Sequence, residues 1–360
     1  MQNMTDASPA SDRKPLILLL ATPETSASVL YGLFDVLSSV GAVFPDMVKG
    51  APEKELLDVR IVSADGRPFS CVGDVPVRPH SAIGDFNTRD PAPDAVVVSD
   101  TYISVTGVPT GRYPRECAWL REMHEAGALL SSVCSGALVL ADAGVLEGCE
   151  ATAHWAYRDM FRRYFPKVAF RDSTALCLKD QDRGVVTAGA VFAWHDLAFY
   201  LISRFCGYRH AVETAKVFLM NDHIEGQSPY VVMTRSMTVK DAIVADCQSW
   251  IAENYEVENP VERMIGRSGL SARTFARRFR AATGYAPMDY VQALRIEEAK
   301  QELERDQRPV EHIAAMVGYE DPASFRRLFK KRVGLTPAAY RKKFQRLSTL
   351  ASATVPDLRN

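Results

Sequence analysis

The last third of this chain repeats itself at an offset of 50 residues. Phe275 and Phe279 recur as Phe325 and Phe329, and Arg277 recurs as Arg327. Gly284, Pro287 and Tyr290 recur as Gly334, Pro337 and Tyr340. A fixed period shared by several residue types marks a duplicated supersecondary unit. Each copy reads as helix, tight turn, helix. In the first, 261–267 is short and amphipathic, 268–270 makes the turn, and Ser271 caps the next helix. In the second, 310–317 is the first helix and Gly318 supplies the turn. Asp321 then caps a helix that has Pro322 at its first position. The paired phenylalanines, four residues apart, turn one face of each second helix toward a core. The arginines fall on the other faces.

The charge is uneven in the same region. Residues 241–347 carry 19 Lys+Arg and 15 Asp+Glu, while the rest carries 24 and 29. From Arg263 to Met288 there are six arginines and no acid, and from Pro322 to Arg346 nine Lys+Arg and no acid. Clustered cations without anions are the footprint of phosphate binding. The plainer reading is a solvated basic helix face. A helix with one apolar stripe and a cationic outer face fits the major groove of double-stranded DNA. The residues expected to face the bases are Arg273, Ala276 and Arg277 in the first copy. In the second they are Ala323, Arg326 and Arg327. Arg278, Arg280, Lys330 and Lys331 are left for phosphates or solvent.

These residues carry a resemblance. Gly269–Phe279, Gly284–Pro287, Leu294-Arg295, Ile313–Tyr319, Ser324–Phe329 and Gly334–Arg341 make residues 241–347 resemble the DNA-binding domain of the AraC/XylS family. The resemblance implies seven helices, with a long one near 289–303 joining two helix-turn-helix units.

The first two thirds alternate apolar runs with amphipathic stretches. Residues 16–21, 58–63, 95–99 and 128–133 read as strands, and 29–40 and 114–126 as helices. That alternation implies a parallel sheet covered on both faces. A second set of strands is expected at 168–171, 175–179 and 185–188, with a hairpin turn at 180–184. A helix follows at 194–206.

One segment here carries possible chemistry. Leu129–Leu140 is an apolar strand that runs through Cys134-Ser135-Gly136 into an apolar helix. The small residues permit a sharp elbow, and a helix N-terminus favours thiolate. His154 and Trp155 follow 20 residues later, so nucleophile and base are both at hand. A small buried cysteine and a histidine satisfied at a strand end are the plainer readings.

Val133–Ala137, Ala141–Gly148, Ala151–Trp155, Val186–Gly189, Asp196–Ala198 and Gly226–Pro229 extend the picture. Through them residues 15–232 resemble the PfpI-like, type 1 glutamine amidotransferase-like fold, as fused to AraC-type domains in the GlxA group of regulators. The resemblance implies a flavodoxin-like α/β sandwich used for ligand sensing and dimerisation. Enzymatic relatives pair the cysteine with an acid in the first helix. Here Val29 falls at that position, and Glu24 and Asp35 lie off it.

The expected organisation is a disordered leader (1–14), a PfpI-like sensor (15–232), a linker (233–240), an AraC-type domain (241–347) and a tail (348–360). The expected function is a transcription regulator, an activator, that answers to a small metabolite such as an amino acid, amine or derivative. Cys134, His154 and Trp155 form the expected ligand site, with Cys134 and His154 as vestiges of a catalytic pair. The alternatives are a cysteine hydrolase or amidase tethered to DNA, and a thiol redox sensor at Cys134. No cofactor and no metal are expected. The seven scattered cysteines imply neither a disulfide framework nor a zinc site, which points to the cytoplasm. No apolar run is long enough for a membrane span. A homodimer is expected.

Overall fold

The structure, a computed structural model, describes residues 13–88, 92–233 and 241–352. They form two units, one ending at Gln227 and the other beginning at Ser228. Most of the leader, the linker and part of the tail lie outside the described residues.

In the first unit, β1 (Leu16–Leu20) and β2 (Asp58–Ser63) precede a small ribbon of β3 (Phe69–Cys71) and β4 (Val75–Val77). Next come β5 (Ser81–Ala82), β6 (Ala95–Val98) and β7 (Leu129–Val133). β8 (Glu150–Ala151) and β9 (Ala169–Phe170) form a separate pair, and β10 (Leu176–Cys177) and β11 (Val185–Ala188) complete the set. The main sheet runs β10-β11-β7-β6-β1-β2-β5, parallel except for the antiparallel β10–β11 edge. The hairpin expected around 180–184 is therefore present. The expected strand at 168–171 does not join it. Its amides are spent on β8, Ala169 N–H on Cys149 O (2.9 Å) and Arg171 N–H on Ala151 O (2.8 Å).

The helices of this unit are α1 (Ala27–Ser38), α2 (Val43–Lys49), α3 (Pro114–Glu125), α4 (Gly136–Asp142), α5 (Arg158–Tyr164), α6 (Trp194–Cys206) and α7 (Tyr208–Phe218). β1, β6 and β7 are buried along their whole length, as parallel strands covered on both faces must be. Alternation assigns each side chain to a layer. Leu16, Leu18 and Leu20 join the core under α3 and α4, while Ile17 and Leu19 join the core under α1 and α6. Each such side chain contributes about 1.5–3 kcal/mol by leaving water.

The second unit consists of α8 (Ala242–Glu253), α9 (Pro260–Ser268), α10 (Ala272–Thr283), α11 (Pro287–Arg305), α12 (Val310–Met316), α13 (Pro322–Val333) and α14 (Pro337–Ser352). The repeat reappears in space. Phe275 and Phe279 sit 5.3 Å apart, and Tyr290 meets Phe279 edge-on at 5.3 Å and 79°. Phe325, Phe329 and Tyr340 do the same at 5.6 Å, with the edge-on contact at 80°. α11 serves both cores, which is why it lacks a single apolar stripe. Tyr290, Val291 and Leu294 enter the first core, and Ile296, Ala299 and Leu303 enter the second. No single helix among the described residues is long and apolar enough to cross a membrane.

Candidate functional site

The two helix-turn-helix units are α9–α10 and α12–α13. Gly269 ends α9 at φ +65°, in the left-handed region that glycine tolerates. The Ser271 hydroxyl accepts the Thr274 N–H, and the Asp321 carboxylate accepts those of Ala323 and Ser324 at 3.0 Å each. Both second helices therefore start where the sequence placed their caps. From 273 to 280 and from 323 to 330 the pattern of burial is the same, residue for residue. Arg273, Ala276, Arg277, Ala323, Arg326 and Arg327 are all exposed.

The cations are fewer than the composition suggests. Arg278 is forked onto Asp241 by two 2.8 Å bonds. This corrects its expected role at phosphate or in solvent, because Asp241 both caps α8 and holds the guanidinium. Arg267 is held on Asp246 and Arg332 on Asp289 and Gln292. Arg326 is paired with Glu311 of α12, both about half exposed, and Arg327 donates to Ser324 Oγ at 2.8 Å. Arg273, Arg277 and Arg280 make no ion pair with any described residue.

In the first unit, the carboxyl ends of β1, β6, β7 and β11 bring together Thr22–Ser26, Ser99–Thr101, Cys134-Ser135 and Gly189. Cys134 turns the chain from β7 toward α4 at φ +52°, a strained conformation for a residue with a side chain. Gly136 makes the elbow possible, since a Cβ there would lie 2.5 Å from Val98 O. Ser135 Oγ accepts the Thr101 N–H at 3.0 Å, tying the elbow to the loop after β6.

Of the two readings of Cys134, a thiolate at a helix N-terminus or a small buried cysteine, burial opposes the first. Burial, and then the charge of Asp100, push the Cys134 thiol up to about 12. Desolvation outweighs whatever the short α4 offers. Among the described residues no hydrogen bond joins the thiol to the His154 ring, as a nucleophile–base pair would require. The ring Nδ1 of His154 accepts the Ala156 N–H at 3.2 Å, and burial lowers the pKa of the imidazole. His154 reaches the thiol through its backbone. Its ring lies 4.9 Å from that of Trp155, which is half-buried and forms a wall.

The acid at this elbow is Asp100, which sequence reasoning missed. It is buried, accepting Ser26 Oγ–H at 2.5 Å and Ser26 N–H at 3.2 Å. Burial raises its pKa despite those bonds. Val29, at the position an acid would take in α1, is fully buried in the core, and Asp35 is exposed. Glu24 lies beside Arg112, 3.7 Å away. An open groove of about 530 Å³ at the amino ends of β1 and β2 is a poorer candidate. Its cations are spent on Asp94, Glu55 and Asp58.

Comparison with known proteins places both units. The DJ-1/PfpI family model matches residues 27–204, and a helix-turn-helix domain model matches residues 265–343. The chain is 25% identical over 317 residues to the HTH-type transcriptional regulator CdhR of Pseudomonas aeruginosa, spanning 85% of this chain and 88% of that one. It is 23% identical over 318 residues to the regulator GbdR of the same species, spanning 88% and 83%. With GlxA of Rhizobium meliloti it shares 27% over 230 residues, spanning 62% and 68%.

The chain is an AraC-type helix-turn-helix transcription regulator with a DJ-1/PfpI domain in front.

In this regulator one further residue sits against the 152–155 segment of the DJ-1/PfpI domain. Gln227 is buried where the first unit ends. Its Oε1 accepts the Trp155 N–H at 3.1 Å. Its Nε2 lies 2.9 Å from both Ala153 O and Thr174 O, and 3.2 Å from Thr152 Oγ1. The slot is tight. A Cβ on Gly189 would lie 2.2 Å from Nε2, and one on Gly226 would lie 2.1 Å from Ser173 O. The Gly226–Pro229 segment signals the family in the sequence, but nothing in its spacing says that Gln227 turns inward beside Trp155.

Proposed function

We propose that the regulator is a one-component activator. Its DJ-1/PfpI unit binds a small metabolite beside Cys134, His154 and Trp155, and the bound state changes how two copies present their helix-turn-helix units to an operator. The observation that carries this reading is the seat of Gln227. The chain leaves the sensor at a residue whose side chain is bonded to the Trp155 backbone, and four residues later Val231 O accepts a hydrogen bond from Lys300 Nζ of α11 at 2.5 Å. A ligand that binds two arrangements of that seat unequally shifts their populations. Ligands of parallel sheets bind at the carboxyl ends of the strands, where this site lies.

The effector class is an amino acid, an amine or a derivative, with Trp155 available to stack against it. Arg273, Ala276, Arg277, Ala323, Arg326 and Arg327 face base edges, and the regulator works in the cytoplasm as a homodimer. Cys134 is a packing residue rather than a nucleophile or redox sensor, because its thiol stays protonated and reactivity needs the thiolate.

The test is a thermal-shift screen of the full chain against amino acids, amines and their breakdown products, since a ligand stabilises the fold it binds. A stabilising compound is then added to a DNA-binding assay. A stabiliser that leaves DNA binding unchanged refutes the coupling. Turnover of any compound that vanishes in Cys134→Ala restores the hydrolase reading.

A further inference from the structure

One side chain bridges the two helix-turn-helix units. Arg295 lies on α11 between Leu294, which packs in the first core, and Ile296, which packs in the second. Its Nε donates to Tyr255 O at 2.6 Å and its Nη2 to Val257 O at 3.0 Å. Both carbonyls belong to the loop 254–259, which leads into α9. Its Nη1 donates to Gly318 O at 2.8 Å, in the turn between α12 and α13. The Tyr319 ring lies against the same guanidinium, 5.4 Å from centroid to Cζ.

A second observation marks the same joint. Gly318 has φ +84°, and a Cβ there would lie 2.6 Å from Glu256 O and 2.8 Å from Arg295 Cζ. The turn of the second unit is thus pressed against the loop that starts the first. Tyr255 packs against both cores.

We infer that Arg295 is a positioning residue, fixing the spacing at which α10 and α13 enter successive grooves while touching no base itself. The inference rests on the reading that both helices meet DNA. Each recognition helix is braced within its own copy by two phenylalanines and a tyrosine. Between the copies the link is α11, and helices packed on either end of one helix can still rock. A planar guanidinium with diverging donors ties the loop 254–259 and the turn at Gly318 into one piece. A lysine ammonium is a point charge on a flexible stem and does not reproduce that fork. Successive grooves recur about every 34 Å along one face of DNA, so a small rocking motion spreads the tolerated spacing.

The test uses the full chain and a pool of DNA duplexes with a long random core, sequenced after rounds of binding. Wild type, Arg295→Lys and Gly318→Ala are compared, each with its thermal melt. Wild type is expected to enrich two sequence blocks at one spacing. Arg295→Lys is expected to enrich the same two blocks over several spacings, and to bind the wild-type duplex roughly tenfold more weakly. Gly318→Ala pushes the joint apart from the other side and is expected to loosen the spacing in the same way. A single unchanged spacing in both variants overturns the inference. So does loss of all selection in an Arg295→Lys chain that melts like wild type. A wild-type pool with no enriched block, or only one, overturns the two-helix reading instead.

Discussion

The side-chain carbonyl of Gln227 accepts the backbone N–H of Trp155 at 3.1 Å. The last residue of the sensor unit is thereby bonded into the site where the effector is proposed to bind. Gln227→Glu keeps an acceptor for Trp155 but sets a carboxylate against the carbonyls of Ala153 and Thr174, each now 2.9 Å from a donor. Leaving such buried groups unsatisfied costs about 1–3 kcal/mol or more. A lower melting temperature and a smaller effector-induced change in DNA affinity are expected. An undiminished effector response in Gln227→Glu removes Gln227 from the coupling.

The Cys134 thiol gives a pH signature. In the native state it holds its proton to about 12, whereas an unfolded thiol ionises near about 8.5. Between those values the unfolded chain binds fewer protons, so stability is intact below about pH 8.5 and falls as pH rises. The melting temperature of wild type should therefore drop more steeply from pH 8 to 10.5 than that of Cys134→Ala. Parallel curves for the two proteins contradict the buried, protonated thiol.

The two recognition helices depend on their caps. Ser271→Ala and Asp321→Ala each remove an acceptor for N-terminal amides, at a cost of about 1 kcal/mol. Asp321 accepts two such amides, so Asp321→Ala is expected to be the more destabilising. Equilibrium urea unfolding of the full chain reads the difference. A loss in neither variant contradicts the cap assignment.

Arg326 is paired with Glu311, so on the proposed reading Glu311 competes with DNA for that guanidinium. An exposed pair is worth little, so Glu311→Gln should free Arg326 and tighten DNA binding at low salt with stability nearly unchanged. Arg278→Ala should do the opposite, lowering the melting temperature because Asp241 loses its fork, with the slope of log affinity against log salt unchanged. A salt slope reduced by about one in Arg278→Ala places that arginine on phosphate after all.

Much of the fold is legible in the sequence. Phe275 and Phe325 announce the repeat because core positions at fixed spacing cannot drift. Leu16–Leu20 announces a doubly covered strand because every side chain in it is apolar. The caps Ser271 and Asp321 stand where turn chemistry puts them. What stays hidden is set by long-range packing. Asp100 reaches the Cys134 elbow from the loop after β6, 34 residues earlier, and no local pattern separates it from other acids. Arg278 reads as a DNA cation until its neighbour Asp241, 37 residues upstream, is brought beside it. The pKa of Cys134 follows from burial, which a strand-turn-helix pattern does not report.

The central claim is that this chain reads DNA with both second helices. The direct measurement is fluorescence anisotropy of the full chain on its selected duplex and on a scrambled one, for wild type and for the Arg277→Ala/Arg327→Ala double variant. Wild type should prefer its own site by at least about 10³-fold. The double variant should lose most of that preference while still binding both duplexes at low salt. Equal affinity of wild type for both duplexes, or an undiminished preference in the double variant, contradicts the account.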